Sequence, residues 1–265
     1  MYPFFELFTN FKIYTFGLTL TICFFLALWM LKKLSSRYTL NINIFTNNIL
    51  WYFFGIFIFS RLFYIIWKWD DIKYIQNPFD FFVTSDYNFS LVWAVIWFLV
   101  IFLVHLKARK EAINKYVDPL VITFIFILTI WFIWAFLGWQ VYGKNTQIGI
   151  EILYSHAHTP VPYQVPVFPL PLIYTGLYFI LFCILYIWSM YVHIKWLIWY
   201  FGLIIFSCIL LIFEFFSGKT DILYTKIDIN ITQLFSILLI FICIYRLFLI
   251  MKENEGKDIT ILHKN

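Results

Sequence analysis

Seven unbroken apolar runs, at residues 14–31, 49–67, 91–106, 120–137, 172–192, 196–216 and 231–250, constrain this chain more than any motif in it. Crossing a hydrocarbon core takes about 20 residues at a helical rise of 1.5 Å each, and these runs are of that length. In lipid every backbone N–H and C=O must be satisfied within the protein, which leaves helices or a closed barrel. A barrel requires short segments of alternating polarity, whereas these runs are continuous. The expectation is an all-α membrane protein of about seven transmembrane helices. Composition excludes a soluble alternative, because 63% of the 265 residues are hydrophobic and only 12% are charged.

The charges that remain set an orientation. The net charge of +5 is spread over short turns beside apolar runs rather than gathered on one face, so it argues for topology and against a nucleic-acid partner. Alternate connections place Lys32, Lys33, Arg37, Lys107, Arg109, Lys110, Lys115, Lys195, Arg246, Lys252, Lys257 and Lys264 on one side. The other side has Lys12, Lys68, Lys73, Lys144, Lys219 and Lys226, offset by Asp70, Asp71, Asp80, Asp86, Asp221 and Asp228. By the positive-inside rule the N-terminus is outside and the C-terminus cytoplasmic. Residues 1–252 then form a single polytopic domain with an outer loop at 144–171, and residues 253–265 form a solvated cytoplasmic tail. The first residues lack a basic n-region and a small-residue cleavage site, so the first span is expected to be retained.

Few side chains inside the runs carry chemistry. Cys23, Cys183, Cys208 and Cys243 lie within apolar stretches without metal-ligand spacing, as small buried hydrophobes do. His156 and His158 in YSHAHTP lack a third ligand nearby, so neither a metal nor another cofactor is expected. Arg61, in FGIFIFSRLFYIIW, is different. An ionised side chain within a span costs about 2.5–3.5 kcal/mol on insertion scales, so it is either functional or close enough to the helix end to snorkel to headgroups. Glu214 lies nearer a span end, where a structural or interfacial role suffices.

The ordered features resemble one family. The opening MYPFFELF, the turn LKKLSSRYTLN, the segment SRLFYIIWKWD and seven spans with the N-terminus outside resemble the bacterial prolipoprotein diacylglyceryl transferases. Phe16 and Gly17 resemble the family's Tyr-Gly in the first span, and Arg61, Leu62 and Tyr64 its Ala-Arg-Leu-x-Tyr in the second. Asp118 and Pro119 resemble the Asp that opens the fourth. Residues 131–143, WFIWAFLGWQVYG, fall where the family has Gly-Arg-x-Gly-Asn-x-x-Asn-Gly-Glu-x-x-Gly. PLPLIYTGLYFIL resembles the Pro-x-x-x-Tyr-Glu element, and Gln233 and Ser236 resemble a Gln and Ser of the last span. The resemblance implies a bacterial inner membrane, multi-pass location. It also implies transfer of diacylglyceryl from phosphatidylglycerol to the lipobox Cys of a prolipoprotein signal peptide.

That chemistry needs a cationic pocket for the leaving glycerol phosphate and a thiolate nucleophile. On the resemblance, the signature Arg falls on Phe132, its Asn residues on Ala135 and Gly138, and its Glu on Gln140. The family's His falls on Ser90, its late Arg on Ser217 or Gly218, and the Glu after the later Tyr on Thr175. Losing one preorganised electrostatic group costs about 2.7–4 kcal/mol of transition-state stabilisation, and several are lost. Two readings follow. One is a divergent transferase rebuilt from Arg61, Gln140, Lys144, Lys219, Gln233 and His156 or His158, with Arg61 and Gln140 the catalytic candidates. The other is a catalytically degenerate relative that binds lipid or scaffolds another membrane protein. For either, the expected lipid contacts are Arg61, Gln140, Tyr142, Gly143, Lys144, Tyr174 and Gln233.

Overall fold

A computed structural model describes residues 4–8, 11–67, 91–138, 141–146, 149–153, 165–191, 194–218, 222–224 and 229–262. In chain order these form β1 (Phe4–Phe8), β2 (Phe11–Tyr14), α1 (Thr15–Tyr38), a one-turn α2 (Asn43–Thr46), α3 (Ile49–Trp67), α4 (Leu91–Ala108), α5 (Val117–Leu137), α6 (Leu170–Trp188), α7 (Leu197–Phe213), β3 (Ile222–Tyr224), β4 (Ile229–Asn230) and α8 (Ile231–Leu262). A long helix thus occupies each of the seven apolar runs, and two short antiparallel ribbons, β1–β2 and β3–β4, add strand that hydropathy does not reveal. Five helical stretches are long and apolar enough to cross a membrane: Gly17–Tyr38, Val117–Leu137, Leu170–Trp188, Leu197–Phe216 and Thr232–Lys252. The apolar portions of α3 and α4, Ile49–Leu62 and Ile96–Ala108, are shorter.

The chain divides into two compact units, residues 2–116 and 117–265. In the N-terminal unit α1 buries Thr19, Cys23, Met30 and Leu34, a helical spacing that puts all four on one face. Helices α3 and α4 run antiparallel: Tyr52 packs on His105 at 5.6 Å, and Phe59 stacks on Trp97 at 3.6 Å a turn or two further along. One end of this unit is closed by Phe45, Phe102 and Tyr116, all buried. There the Asn41 N–H donates to the Tyr116 hydroxyl at 3.2 Å, and the Asn41 amide donates to Glu111 at 3.4 Å.

The C-terminal unit is built on α5, α6 and α7. Helices α5 and α6 are antiparallel, with Phe132 against Tyr174 and Phe126 against Phe182. All three helices converge at Gly202, where an added Cβ would sit 3.0 Å from a Leu185 methyl and 3.1 Å from a Val121 methyl. Asp118, in the first turn of α5 and 4% exposed, accepts the Trp196 N–H at 3.1 Å and the Trp199 N–H at 2.8 Å. A carboxylate thereby caps the N-terminus of α7, whose unsatisfied N–H groups and positive dipole end favour an anion. Trp196 just before that helix is left-handed at φ 70°, a conformation costly for a bulky residue.

Helix α8 packs on α7 and shows inverted polarity. Gln233, Ser236 and Cys243 are buried, while Leu234, Phe235, Leu238, Phe241, Tyr245 and Phe248 are exposed. Polar groups inward and large apolar groups outward is the arrangement lipid imposes. The same helix continues to Leu262 through the segment expected to be a solvated tail.

Candidate functional site

The residues around 142–144 are fixed by a small backbone ladder. The Gly143 N–H donates to the Phe168 carbonyl at 3.1 Å, Phe168 N–H to the Lys144 carbonyl at 3.0 Å, and Lys144 N–H to the Phe216 carbonyl at 2.8 Å. Gly218 N–H completes it on the Tyr142 carbonyl at 3.0 Å. Segment 142–145 is therefore sewn to the start of α6 on one side and the end of α7 on the other. Glycine is required at 143, because a Cβ there would run into the Phe168 carbonyl. Val167, fully buried, packs under the ladder against Phe136, Tyr142 and Ile152, and Phe168 stacks on Phe216 at 4.8 Å. The Lys144 side chain is exposed.

Beyond the ladder, toward the middle of the unit, is an aromatic stack. Phe132 meets Tyr174 at 4.7 Å and Tyr178 at 5.6 Å, and the two tyrosines, one helical turn apart on α6, stack on each other at 5.8 Å. Phe213 closes on Tyr174 at 6.2 Å and Phe206 on Tyr178 at 5.8 Å. Ala135 and Gly138 are both buried, and the Thr175 hydroxyl donates back to the Pro171 carbonyl at 2.9 Å. Glu214 opens the short 3-10 turn that ends α7.

The hydroxyls of Tyr174, Tyr178, Thr123 and Ser207 are buried and have no hydrogen-bond partner among the described residues. Such an orphan costs about 1–3 kcal/mol in desolvation. The hydroxyl of Tyr52 and the indole N–H of Trp97 in the N-terminal unit are in the same position, whereas Ser60, Thr129, Ser189 and Ser236 each donate to a carbonyl three or four residues back.

A model of the family described as prolipoprotein diacylglyceryl transferase matches residues 3–249, nearly the whole chain. The chain belongs to the prolipoprotein diacylglyceryl transferase family. Comparison with individually curated proteins returns no match. It is thus a transferase-like membrane protein of a bacterial inner-membrane family whose substrates are phosphatidylglycerol and prolipoprotein.

Of the expected site residues, Tyr142, Gly143, Lys144 and Tyr174 come together in the C-terminal unit, in the ladder and the stack beside it. Gln233 is buried on α8 of the same unit. Arg61 lies on α3 of the N-terminal unit at 1% exposure, enclosed by protein, which removes the snorkelling alternative. Gln140, His156, His158, Lys219 and Ser90 lie outside the described residues. Among the described residues no three His, Cys, Asp or Glu side chains group as metal ligands. Sequence reasoning passed over Tyr178, Ser207 and Thr123. The available signal was the i, i+4 spacing of Tyr174 and Tyr178 within an apolar run, which places both on one face.

Proposed function

We propose that this transferase-family protein binds membrane lipid in the family's frame but is catalytically impaired in the family's reaction, and serves as a lipid-binding or scaffolding subunit of a membrane complex. The observation that carries this reading is the stack at Phe132. In the transfer a thiolate sulfur attacks the glyceryl carbon, the C–O bond to phosphate breaks, and glycerol phosphate departs with the electron pair. A guanidinium stabilises that departure by bidentate contact with the phosphate oxygens. At the position that the resemblance assigns to this Arg, an aromatic ring fills the space between Tyr174 and Tyr178. Ala135 and Gly138 supply no side-chain donor where the family has Asn.

Arg61 is the cation we assign to a lipid phosphate, on the strength of its enclosure and its place in the SRLFY segment. The proposed topology is a single polytopic domain of seven spans, with the N-terminus outside, the 144–171 loop on the outer face and the 253–265 tail in the cytoplasm. It is supported by the Lys and Arg asymmetry and by a helix at every apolar run.

The test is direct. Purified protein is incubated in phosphatidylglycerol micelles with a lipobox peptide, and thioether-linked diacylglycerol is measured beside a family member that has the full signature. Turnover is expected at least about 100-fold below that reference, the effect of losing one oxyanion-type donor. Comparable turnover that disappears in Arg61→Ala and Gln140→Ala overturns the reading.

A further inference from the structure

We propose that the basic end of the N-terminal unit, where Lys32 of α1 and Lys107 of α4 stand beside the indoles of Trp29 and Trp51, is a docking surface for the phosphate headgroups of anionic phospholipid. It goes beyond the lipid-binding reading above and does not use Arg61, which is ten residues further along α3 than Trp51, about 15 Å at the helical rise. Packing brings the parts to one end. Phe24 of α1 meets Phe53 of α3 at 5.5 Å, and Tyr52 of α3 meets His105 of α4 at 5.6 Å. Counted from these contacts, Trp29, Trp51 and Lys107 lie within about one helical turn of the same height. Asn41, just past the end of α1, donates to Glu111, just past the end of α4, at 3.4 Å, which ties the two helix ends together.

Charge at this end is one-sided. Residues 29–52 and 100–116 hold seven Lys and Arg residues, all exposed, against a single carboxylate, Glu111, which Lys115 approaches at 3.5 Å. A topological role explains the sign of these charges but not where they stand. On α1 the exposed residues Leu18, Phe25 and Lys32 recur every seven positions on one face. Beside them Trp29 is 53% exposed, with the Lys33 ammonium 5.3 Å over its ring. On α4 the exposed Val100, Leu103 and Val104 run into Lys107 at three- and four-residue spacing, so they share a face as well. Lys32 and Lys107 each therefore continue a face that meets acyl chains, with the stem along apolar surface and the ammonium at headgroup depth. Trp51, 70% exposed at this level, belongs to the interfacial belt where indoles settle. A phosphodiester here meets ammonium donors without a competing carboxylate, since Glu111 is engaged by Lys115 and Asn41. An acidic protein segment would carry the same charge, but only a phosphate that bears acyl chains also covers the apolar faces leading up to the two lysines.

The experiment uses the full chain in phosphatidylcholine vesicles doped equally in both leaflets with phosphatidylglycerol, so that the direction of insertion does not matter. Either lipid carries a photoactivatable group close to its headgroup, and adducts are located by peptide mass. The expected result is more phosphatidylglycerol than phosphatidylcholine on the peptides that hold Trp29 and Trp51. That labelling falls about fivefold in Lys32→Gln and in Lys107→Gln, the equivalent of about 1 kcal/mol per charge, and about 25-fold in the double variant. It weakens as salt is raised. Lys32→Arg with Lys107→Arg retains it, and thermal stability in detergent stays level in every variant, because both side chains are exposed. Equal labelling by the two lipids, or phosphatidylglycerol adducts unchanged in the double Gln variant, overturns the proposal. So does an equal loss in the double Arg variant, which shows that charge is not what holds the lipid. Arg61→Met is expected to leave these adducts in place; if it removes them, they belong to the enclosed guanidinium and the surface falls while the lipid-binding reading stands. Adducts that depend on Lys32 and Lys107 support the surface even where Arg61→Met retains all its tightly held lipid, the result that removes Arg61 alone.

Discussion

Replacing Asp118 by alanine tests how the C-terminal unit is held together. Its carboxylate takes two backbone N–H groups, from Trp196 at 3.1 Å and Trp199 at 2.8 Å. Hydrogen bonds to a charged acceptor contribute about 1.5–3 kcal/mol each, and the positive end of α7 adds about 0.3–1 kcal/mol for an anion. Against this gross of about 3–7 kcal/mol stands the desolvation of a carboxylate only 4% exposed, which the substitution relieves. A net loss of about 2–4 kcal/mol follows. At about 2–4 °C per kcal/mol for a chain of this size class, the apparent Tm falls by about 5–15 °C.

The assay is size-exclusion retention of detergent-solubilised protein after stepped heating. Asp118→Asn, which keeps one acceptor oxygen, is expected to lose about half as much. Trp196 sharpens the reading, since its left-handed φ of 70° is strain that the Asp118 bond holds in place. Amide exchange at Trp196 and Trp199 is expected to accelerate in Asp118→Ala ahead of the rest of α7. An apparent Tm within about 2 °C of wild type would refute the capping account.

Four further outcomes are expected. Gly143→Ala drives a Cβ into the Phe168 carbonyl, so the ladder opens and limited proteolysis within 144–170 speeds up while α5–α7 stay intact; unchanged cleavage rates sink this. Phe132→Arg does not restore transfer to a lipobox peptide, because Ala135 and Gly138 still supply no donor, and a charge within the stack costs several kcal/mol, read as a lower Tm. Arg61→Met lowers retention of phosphatidylglycerol on purification by about tenfold or more, the worth of a charge-assisted bond of about 1.5–3 kcal/mol; equal retention removes Arg61 from lipid binding. Burial raises the Tyr116 hydroxyl above its ordinary value near 10, opposed by the Asn41 N–H. With the folded-state value raised, the stabilisation is fully present below pH about 10 and is lost as pH climbs through the higher folded value. Tyr116→Phe flattens that alkaline loss in a thermal-shift series.

The helices were legible because lipid leaves so few choices. Each apolar run holds a helix, Ile49–Trp67 coincides with its run, and five of the helices are long and apolar enough to cross a membrane. The additions came from forces that hydropathy does not count. The backbone ladder through Gly143 depends on pairing between segments remote in sequence, and α8 extends past the apolar run to Leu262. Asp118 was recognisable as a family landmark, but its partners are backbone N–H groups some 80 residues away, which no local pattern reports. At the site, the resemblance to the family motif sets Phe132, Ala135 and Gly138 at the positions of its Arg and Asn residues. What fills the space was not readable, since a phenylalanine in a span reads the same whether it faces lipid or two tyrosines.

The direction of the replacements is itself informative. Within lipid a charged or amide side chain is costly unless it is paired, and helix packing gains from rings and small residues instead. On the resemblance, Phe132, Ala135 and Gly138 are of that kind: the Phe132 ring packs α5 against α6, and Ala135 and Gly138 are buried. Apolar replacement at these positions would therefore need no new function to explain it. It does not account for Tyr174, Tyr178, Ser207 and Thr123, whose orphan hydroxyls are less stable than the phenyl, methyl or hydrogen that would replace them. It does not account for Arg61 either, an enclosed guanidinium in an apolar helix. Polar groups kept where packing alone would discard them are the ones that a bound lipid would explain.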